Sequence, residues 1–119
     1  MLNTAEQTVP RLPRRLLGER AHKLYFLETE NIEYIEADGN YVNIHVGENS
    51  YISRNTVKHL AETLAPAGFV RIERSLLVNL RHVAFAERIG HGAFALTLTS
   101  GHRLLSTPTY RKGILEALQ

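Results

Sequence analysis

The sequence predicts a mainly β domain, in which short antiparallel sheets are joined by one short central helix and one C-terminal helix. Three observations support this fold class. Apolar and polar residues alternate in many short runs. Turn-forming Gly, Asn and Asp separate those runs. Apolar residues follow a helical period in two stretches. The pattern amounts to about seven strands, which favours antiparallel β structure.

The N-terminal residues, 1–22, are predicted to form a linker or flexible tail, and the folded domain is predicted to span 23–119. The opening segment is rich in Arg, contains Pro10 and Pro13, and shows no sustained apolar period. A chain of 119 residues has the length of about one domain and can bury one modest core.

The first half of the folded region is predicted to consist of strands. Residues 41–46 alternate most cleanly, with Val42 and Ile44 on one face. The Asp-Gly-Asn sequence at 38–40 is typical of a hairpin turn, so 41–46 should pair with the run before it. The strands predicted here are 24–30, 32–37, 41–46 and 51–53.

The apolar period changes from two to that of a helix at residues 56–65. Apolar residues fall there at i, i+3, i+4 and i+7, which places them on one helix face. Asn55 or Thr56 can accept a hydrogen bond from the free amides at the start. Pro66 and then Gly68 are predicted to end the helix.

The second half returns to strands and closes with a helix. Gly-His-Gly at 90–92 and Ser-Gly at 100–101 indicate two further turns. Thr107-Pro108 predicts a helix start, because proline at the first helical position loses no needed hydrogen bond. The predicted strands are 69–74, 83–89, 93–100 and 102–106, and the apolar side of the helix is Tyr110, Ile114, Leu115 and Leu118.

The formal net charge of +2 is unevenly distributed along the chain. Residues 24–50 contain six acidic residues and no Lys or Arg, whereas 51–119 contain nine Lys or Arg and four acidic residues. A positive face would attract a polyanion, although scattered solvated charges would give the same composition.

No pattern in the sequence is typical of catalysis. No two of the six His have the i, i+4 spacing of a metal site on a helix. The absence of Cys excludes a thiol nucleophile and disulfides. Neither a phosphate-binding glycine loop nor a Gly-x-Ser-x-Gly turn is present. We therefore expect no enzymatic activity, no cofactor, no metal and no membrane span, and we expect a cytoplasmic protein.

Two linked segments resemble the LytTR-type DNA-binding domain of bacterial response regulators. The first contains IEYIEADGNYVNIHV at 32–46 and SRNTVKHLAETL at 53–64. The second contains FVRIERSLLVNLRHV at 69–83, close to the family pattern Phe-Val-Arg-Ile-His-Arg-Ser-x-x-Val-Asn. The resemblance covers about residues 24–118. It implies a β-dominated domain whose loops, rather than a recognition helix, enter successive major grooves, and DNA sites that are paired direct repeats.

The resemblance implies three DNA-contacting loops, of which the first is the hairpin tip at 38–40 and the second is Arg74-Ser75, directly after the strand FVRIE. Asn40 aligns with a base-reading position, and its amide can pair with adenine. It could equally serve only the turn, because Asn tolerates a positive φ. Arg74 would read guanine and Ser75 would donate to a phosphate. Arg74 could instead pair with Glu73 or Glu36, and Glu73 stands where the family often has His.

The third implied loop is the start of the closing helix, where family members often carry Ser followed by one or two Arg. Thr107, Pro108 and Thr109 occupy those positions here, so the usual basic contact is absent. The hydroxyls of Thr107 and Thr109 could still hold a phosphate with the helix-start amides, and Arg111 and Lys112 could substitute. Secondary candidates, each of which could equally be a solvated charge or polar group, are Arg54, Asn55, Lys58 and Arg71.

Some residues within the resembling segments are predicted to be structural. Asn79 is expected to bond to backbone, with Val78 and Leu80 in the core. Asp38 would repel phosphate, so it is expected to point away from DNA or to cap the turn.

Sequence-specific binding of double-stranded DNA for transcriptional regulation is therefore the leading hypothesis. One alternative is a protein-interaction module on the same fold, with no base readout. Another is a binder of single strands that stacks bases on aromatic side chains. The expected partners besides DNA are a second copy of the chain on DNA and an N-terminal receiver or other regulatory domain absent from this chain. The Tyr residues considered for stacking are Tyr25, Tyr34, Tyr41 and Tyr51.

Overall fold

The computed structural model describes residues 13–119, and these residues confirm the predicted mainly β class. They form ten strands and two α-helices. The strands are β1 Arg15–Arg20, β2 Lys23–Glu28, β3 Tyr34–Asp38, β4 Tyr41–Val46, β5 Asn49–Ser53, β6 Phe69–Glu73, β7 Leu76–Asn79, β8 Val83–Gly90, β9 Ala93–Leu98 and β10 Arg103–Leu105. The helices are α1 Val57–Leu64 and α2 Arg111–Ala117.

The larger sheet has the strand order β2-β1-β5-β4-β3-β7-β6, and all its pairings are antiparallel. The β1–β2 hairpin joins the other five strands at one residue pair, Glu19 with Ile52. Gly18 allows the close approach of β1 and β5, because a Cβ at this position would lie 2.7 Å from the Cβ of Tyr51. A smaller sheet has the order β10-β9-β8.

The two faces of the larger sheet cover two separate cores. In β3, Ile35 joins the core under α1, whereas its neighbour Tyr34 joins the core against β9 and α2. Leu77 and Val78 divide in the same way in β7. This division follows from the alternation of side chains along a strand. The larger sheet is thus sandwiched between α1 on one side and the smaller sheet with α2 on the other.

The predicted ends of the central helix are confirmed. Of the two candidate capping residues, Thr56 accepts a hydrogen bond from the amide of His59 at 3.0 Å. The helix ends at Leu64, and a short 3-10 turn then leads to Gly68, whose φ is 93°.

The structure differs from the predicted tail at residues 15–20, which form β1, while 1–12 lie outside the described residues. Strand β1 has little alternation of its own. It is defined by its pairing with β2 and by Leu16, which packs against the core. The segment that follows Arg74-Ser75 also contains a separate strand, β7, which the pattern did not delimit.

The predicted structural role of Asn79 is confirmed. The side chain is fully buried, its Nδ2 donates to the carbonyl oxygen of Ile32 at 2.9 Å, and its Oδ1 accepts from the amide of Arg81 at 3.1 Å. Val78 is buried and Leu80 is partly buried in the core, as expected. Within the described part of the chain, no helix is both long and apolar enough to cross a membrane.

Candidate nucleic-acid interface

One end of the larger sheet collects several of the predicted contact residues. Because neighbouring strands run in opposite directions, the β3–β4 turn, the β6–β7 turn and the residue after β5 all lie at this end. We call it the loop rim, defined by Asn40, Arg54, Asn55, Arg74 and Ser75. The two hairpins are adjacent in the sheet, so their turns are separated by two strand spacings, about 10 Å.

A cleft opens between the two turns and the start of α1. The described residues that line it come from three separate segments, and none of them is Asp or Glu. They include three cations, Lys58, Arg71 and Arg74. A cleft with this composition would have a positive potential. The predicted contact residues that it brings together are Asn40, Asn55, Lys58, Arg71, Arg74 and Ser75.

Asn40 is free to contact a ligand, because the turn depends on another residue. Gly39 has the left-handed φ, 62°, whereas Asn40 does not have a positive φ. A Gly at the first central position is typical of a type II′ hairpin turn. The Asn40 side chain is exposed and forms no hydrogen bond within residues 13–119. Asp38 accepts a hydrogen bond from Nδ2 of Asn43 at 3.2 Å, which ties its carboxylate to β4.

Arg74 is exposed, and its guanidinium forms no ion pair or hydrogen bond with any residue in 13–119. Neither predicted acidic partner is engaged with it. Oε2 of Glu73 accepts from the amide of Ser75 at 2.8 Å and from the Ser75 hydroxyl at 2.5 Å. Glu36 is paired with His45, at 2.8 Å between Oε1 and Nε2. The guanidinium of Arg74 therefore retains its full set of donors.

Arg71 supports the β6–β7 turn from within the domain. Its Nε and Nη2 donate to the carbonyl oxygen of Arg74 at 3.1 and 2.5 Å. Its guanidinium carbon also lies 5.5 Å from the ring centre of Tyr110, which is within the range of a cation–π contact. Although the sequence offers Arg71 as a phosphate contact, its donors in the structure hold the turn.

The third predicted region lies along the outer edge of β6. The amide of Thr107 donates to the carbonyl oxygen of Ile72 at 3.0 Å, and Pro108 to Tyr110 form a 3-10 turn that leads into α2. The Thr107 side chain does not cap this turn. By strand spacing, Thr107 lies about 17 Å from Asn40 along the sheet. The side chains of Thr109, Arg111 and Lys112 are exposed.

Tyr41 is a candidate contact that the sequence patterns did not single out for this rim. It is 39% exposed, directly follows Asn40 and lines the cleft. The guanidinium carbon of Arg54 lies 5.2 Å from its ring centre, and Nη2 of Arg54 donates to its hydroxyl at 3.4 Å. The other three Tyr considered for stacking are less accessible, since Tyr34 and Tyr51 are buried and Tyr25 packs on Tyr51.

Beyond Tyr41, a second cleft leads to the β1–β2 turn. It is lined by Arg20, His22 and Arg54, among others, and shares Tyr41 with the first cleft. Alternation and turn signals could not place this turn, because the segment before it was predicted to be a tail. Among the described residues there is no group of three or more His, Asp or Glu that could hold a metal ion.

Comparison with known proteins gives a consistent result. The sequence model of the LytTr DNA-binding domain matches residues 22–119. The chain is 33% identical over 86 residues to the CO-responsive transcriptional regulator RcoM of Rhodospirillum rubrum, covering 71% of the chain and 35% of RcoM. It is 26% identical over 82 residues to the transcriptional regulatory protein LytR of Staphylococcus aureus, covering 69% of the chain and 33% of LytR. The chain thus spans about a third of the length of these relatives.

The fold is also similar to a solved structure. The LytTr DNA-binding domain of a response regulator from Bacillus cereus superposes with a TM-score of 0.82, covering 88% of this chain and 96% of that one. The sequence identity is 18%, so this similarity concerns the fold alone.

Proposed function

Because the chain belongs to the LytTR family of DNA-binding domains, we propose that it binds double-stranded DNA sequence-specifically to regulate transcription, and that it supplies no catalytic chemistry. The observation that carries this proposal is the loop rim. There the Arg74 guanidinium and the Asn40 amide, neither of which is paired within residues 13–119, lie beside one cleft whose described lining contains no acidic residue.

Arg74 and Asn40 are the residues that we assign to base readout. Arginine pairs with O6 and N7 of guanine through two parallel donors, and asparagine pairs with N6 and N7 of adenine. A separation of about 10 Å between their turns is smaller than the width of the major groove, about 12 Å. Both side chains can therefore enter the same groove, a few base pairs apart.

Contacts to the DNA backbone are assigned to the residues around this pair. Ser75 would exchange its hydrogen bond to Glu73 for one to a phosphate. Successive major grooves on one face of a duplex lie about 34 Å apart. Of the three regions the third lies farthest from Asn40, so we assign the contact in the next groove to it, with long side chains adding reach beyond Thr107. The full backbone set is Ser75, Thr107, Thr109, Arg111 and Lys112, with Arg54, Asn55 and Lys58 in support, while Arg71 acts through the β6–β7 turn that its hydrogen bonds hold.

The wider setting is also part of the proposal. Two copies would bind paired direct repeats and associate on the DNA. A receiver or other regulatory domain in the full-length protein would control them, since the curated relatives are regulators of which the chain covers about a third. A DNA-binding regulator of this kind would act in the bacterial cytoplasm.

Selection of bound duplexes from a random pool tests the function directly. We expect a recurring sequence motif, and we expect the selected duplex to bind far more tightly than random duplex at the same salt concentration. Single strands should compete poorly. If neither duplex nor single strand binds, the domain does not recognise nucleic acid, and the protein-interaction alternative gains support.

A further inference from the structure

The β1–β2 turn has a backbone that its residues do not favour. Strand β1 ends at Arg20, β2 begins at its cross-strand partner Lys23, and two residues make the turn. Both have a positive φ, 53° at Ala21 and 65° at His22. Hairpin turns of this kind normally carry Asn, Asp or Gly, and His also tolerates the left-handed region, whereas Ala is strained there. The geometry of the turn alone therefore does not explain why Ala21 occupies it.

The last residue pair of the same hairpin places two positive charges side by side. Arg20 and Lys23 lie directly opposite each other, and like charges in that position destabilise a strand pair. Both side chains are exposed, and neither forms an ion pair within residues 13–119. Local rules of this kind are broken mostly at functional sites. A polyanion bound at the turn would remove the repulsion.

The turn is continuous with the loop rim. Arg20, Ala21 and His22 line a cleft together with Tyr41 and Arg54, and Tyr41 also lines the central cleft beside Asn40. Arg54 lines the second cleft and lies over the ring of Tyr41, the residue that the two clefts share.

Among the described residues that line this second cleft, one is acidic, Glu19. The strand register places Glu19 on the same sheet face as Tyr41, whereas Arg20 lies on the other face. Arg20 therefore borders the cleft from the side away from the Glu19 carboxylate, and cations and hydrogen-bond donors follow this end of the sheet from Arg74 past Asn40 to the β1–β2 turn.

We propose that the β1–β2 turn is an additional DNA-binding site, in which Arg20, His22 and Lys23 contact backbone phosphates that flank the bases read at the loop rim. The proposal rests on the proposed function, because it extends the same duplex beyond that rim. A duplex carries one negative charge per 1.7 Å of its axis, so a cationic hairpin beside the rim meets phosphates without sequence preference.

The test compares two variants with the same change in charge. R20Q/K23Q removes the cations of the turn, whereas R81Q/R103Q removes two exposed cations elsewhere. Arg81 follows the end of β7 that lies away from the loop rim, and Arg103 begins β10 beside His102, which packs on Tyr34. Titrations of the selected duplex at 50 and 200 mM salt give the salt dependence of the dissociation constant.

Each phosphate contact contributes about 0.9 to the slope of the logarithm of the binding constant against the logarithm of the salt concentration. Over this fourfold rise in salt, the loss of two contacts should therefore make the fall in affinity of R20Q/K23Q about 12-fold smaller than that of the wild type. The motif preferred by R20Q/K23Q should stay unchanged. R81Q/R103Q should keep the wild-type slope. Equal slopes for the two variants would overturn the proposal.

Duplexes trimmed stepwise from each end locate the contact. Trimming the flank that meets the turn should weaken the wild type more than R20Q/K23Q, which keeps only the His22 contact. If trimming either end weakens both proteins equally, the turn does not contact the flank. If the wild type itself shows no preference for duplex DNA, the proposed function fails first. If the wild type binds its motif and R20Q/K23Q has the same salt slope and the same response to trimming, the additional site is refuted and the proposed function stands.

Discussion

Arg71 donates two hydrogen bonds to the carbonyl oxygen of Arg74, from Nε at 3.1 Å and from Nη2 at 2.5 Å. The β6–β7 pairing shifts register between Arg71 and Glu73, and this bulge lets a side chain of β6 reach the turn that follows it. One arginine thus fixes the backbone from which a second arginine projects. Two neighbouring arginines of the same segment therefore have different roles.

The substitution Arg71→Lys tests this positioning role. Lysine keeps the charge but cannot donate two parallel hydrogen bonds to one carbonyl oxygen. We expect the free energy of unfolding to fall by about 1–2 kcal/mol, and affinity for the selected duplex to fall more than affinity for random duplex. Denaturant unfolding and duplex titration measure the two effects. Unchanged values in both would mean that Arg71 acts only as a diffuse cation.

Arg74→Ala should separate base readout from general attraction. Loss of one guanine contact is expected to reduce affinity for the selected duplex by about 1–3 kcal/mol. Affinity for random duplex should fall only by the contribution of one neutralised phosphate. Stability should not change, because the exposed guanidinium has no partner among the described residues. Equal losses on selected and random duplex would contradict base readout by Arg74.

The β3–β4 turn offers a pair of adjacent substitutions with opposite expected effects. Asn40→Ala should leave stability nearly unchanged and weaken the preference for adenine at one position of the motif, because the amide forms no internal hydrogen bond within the described residues. Gly39→Ala should instead lower stability by about 1–2 kcal/mol, because φ is 62° at this residue. Thermal unfolding and repeated motif selection provide the readouts. A large loss of stability in Asn40→Ala would show that Asn40 is needed for the turn.

Much of the fold could be predicted from the sequence where the signal is local. Strand β4 was predicted at 41–46 and is observed at Tyr41–Val46, because alternation and the preceding Gly39 turn specify it within a few residues. Strand β1 could not be predicted in this way. Its position depends on pairing with β2 and on the close approach of Gly18 to Tyr51, and both are tertiary effects.

The candidate site also contains residues that local sequence signals indicate and others whose positions depend on tertiary structure. Turn chemistry and the family resemblance indicated Asn40 and Arg74, which are indeed adjacent to one cleft. The bond from Arg71 to the Arg74 carbonyl depends on the bulge in β6, and the contact of Arg54 with the Tyr41 ring depends on where β5 ends. Neither can be read from residue spacing. Because strand β1 was not predicted, the position of Arg20 beside the loop rim could not be predicted either.

Tyr34 predicts how stability depends on alkaline pH. Burial raises the pKa of its hydroxyl above the usual value of 10.0, and the nearby carboxylates of Glu36 and Glu33 raise it further. In the unfolded chain the hydroxyl ionises at its ordinary pKa. Above about pH 10 this ionisation lowers the free energy of the unfolded state, whereas the hydroxyl in the folded state stays protonated to a higher pH. Stability should therefore be intact below pH 10 and fall above it. In thermal unfolding from pH 8 to 11, Tyr34→Phe should show a smaller fall than the wild type. The same fall in both proteins would assign the effect to other groups.

Glu73 is the acidic residue that directly precedes Arg74, and its substitution tests how its charge affects DNA binding. Its carboxylate accepts hydrogen bonds from the amide and the hydroxyl of Ser75, and these bonds shape the turn. Its negative charge, however, repels an approaching polyanion. Glu73→Gln keeps an oxygen acceptor for Ser75 and removes the charge. We expect affinity for selected and random duplex to rise by the same factor, with the motif unchanged and the gain shrinking as salt is added. Glu73→Ala, which also removes the acceptor, should gain less on the selected duplex because the turn loosens. If Glu73→Gln altered the preferred bases instead, Glu73 would take part in orienting Arg74.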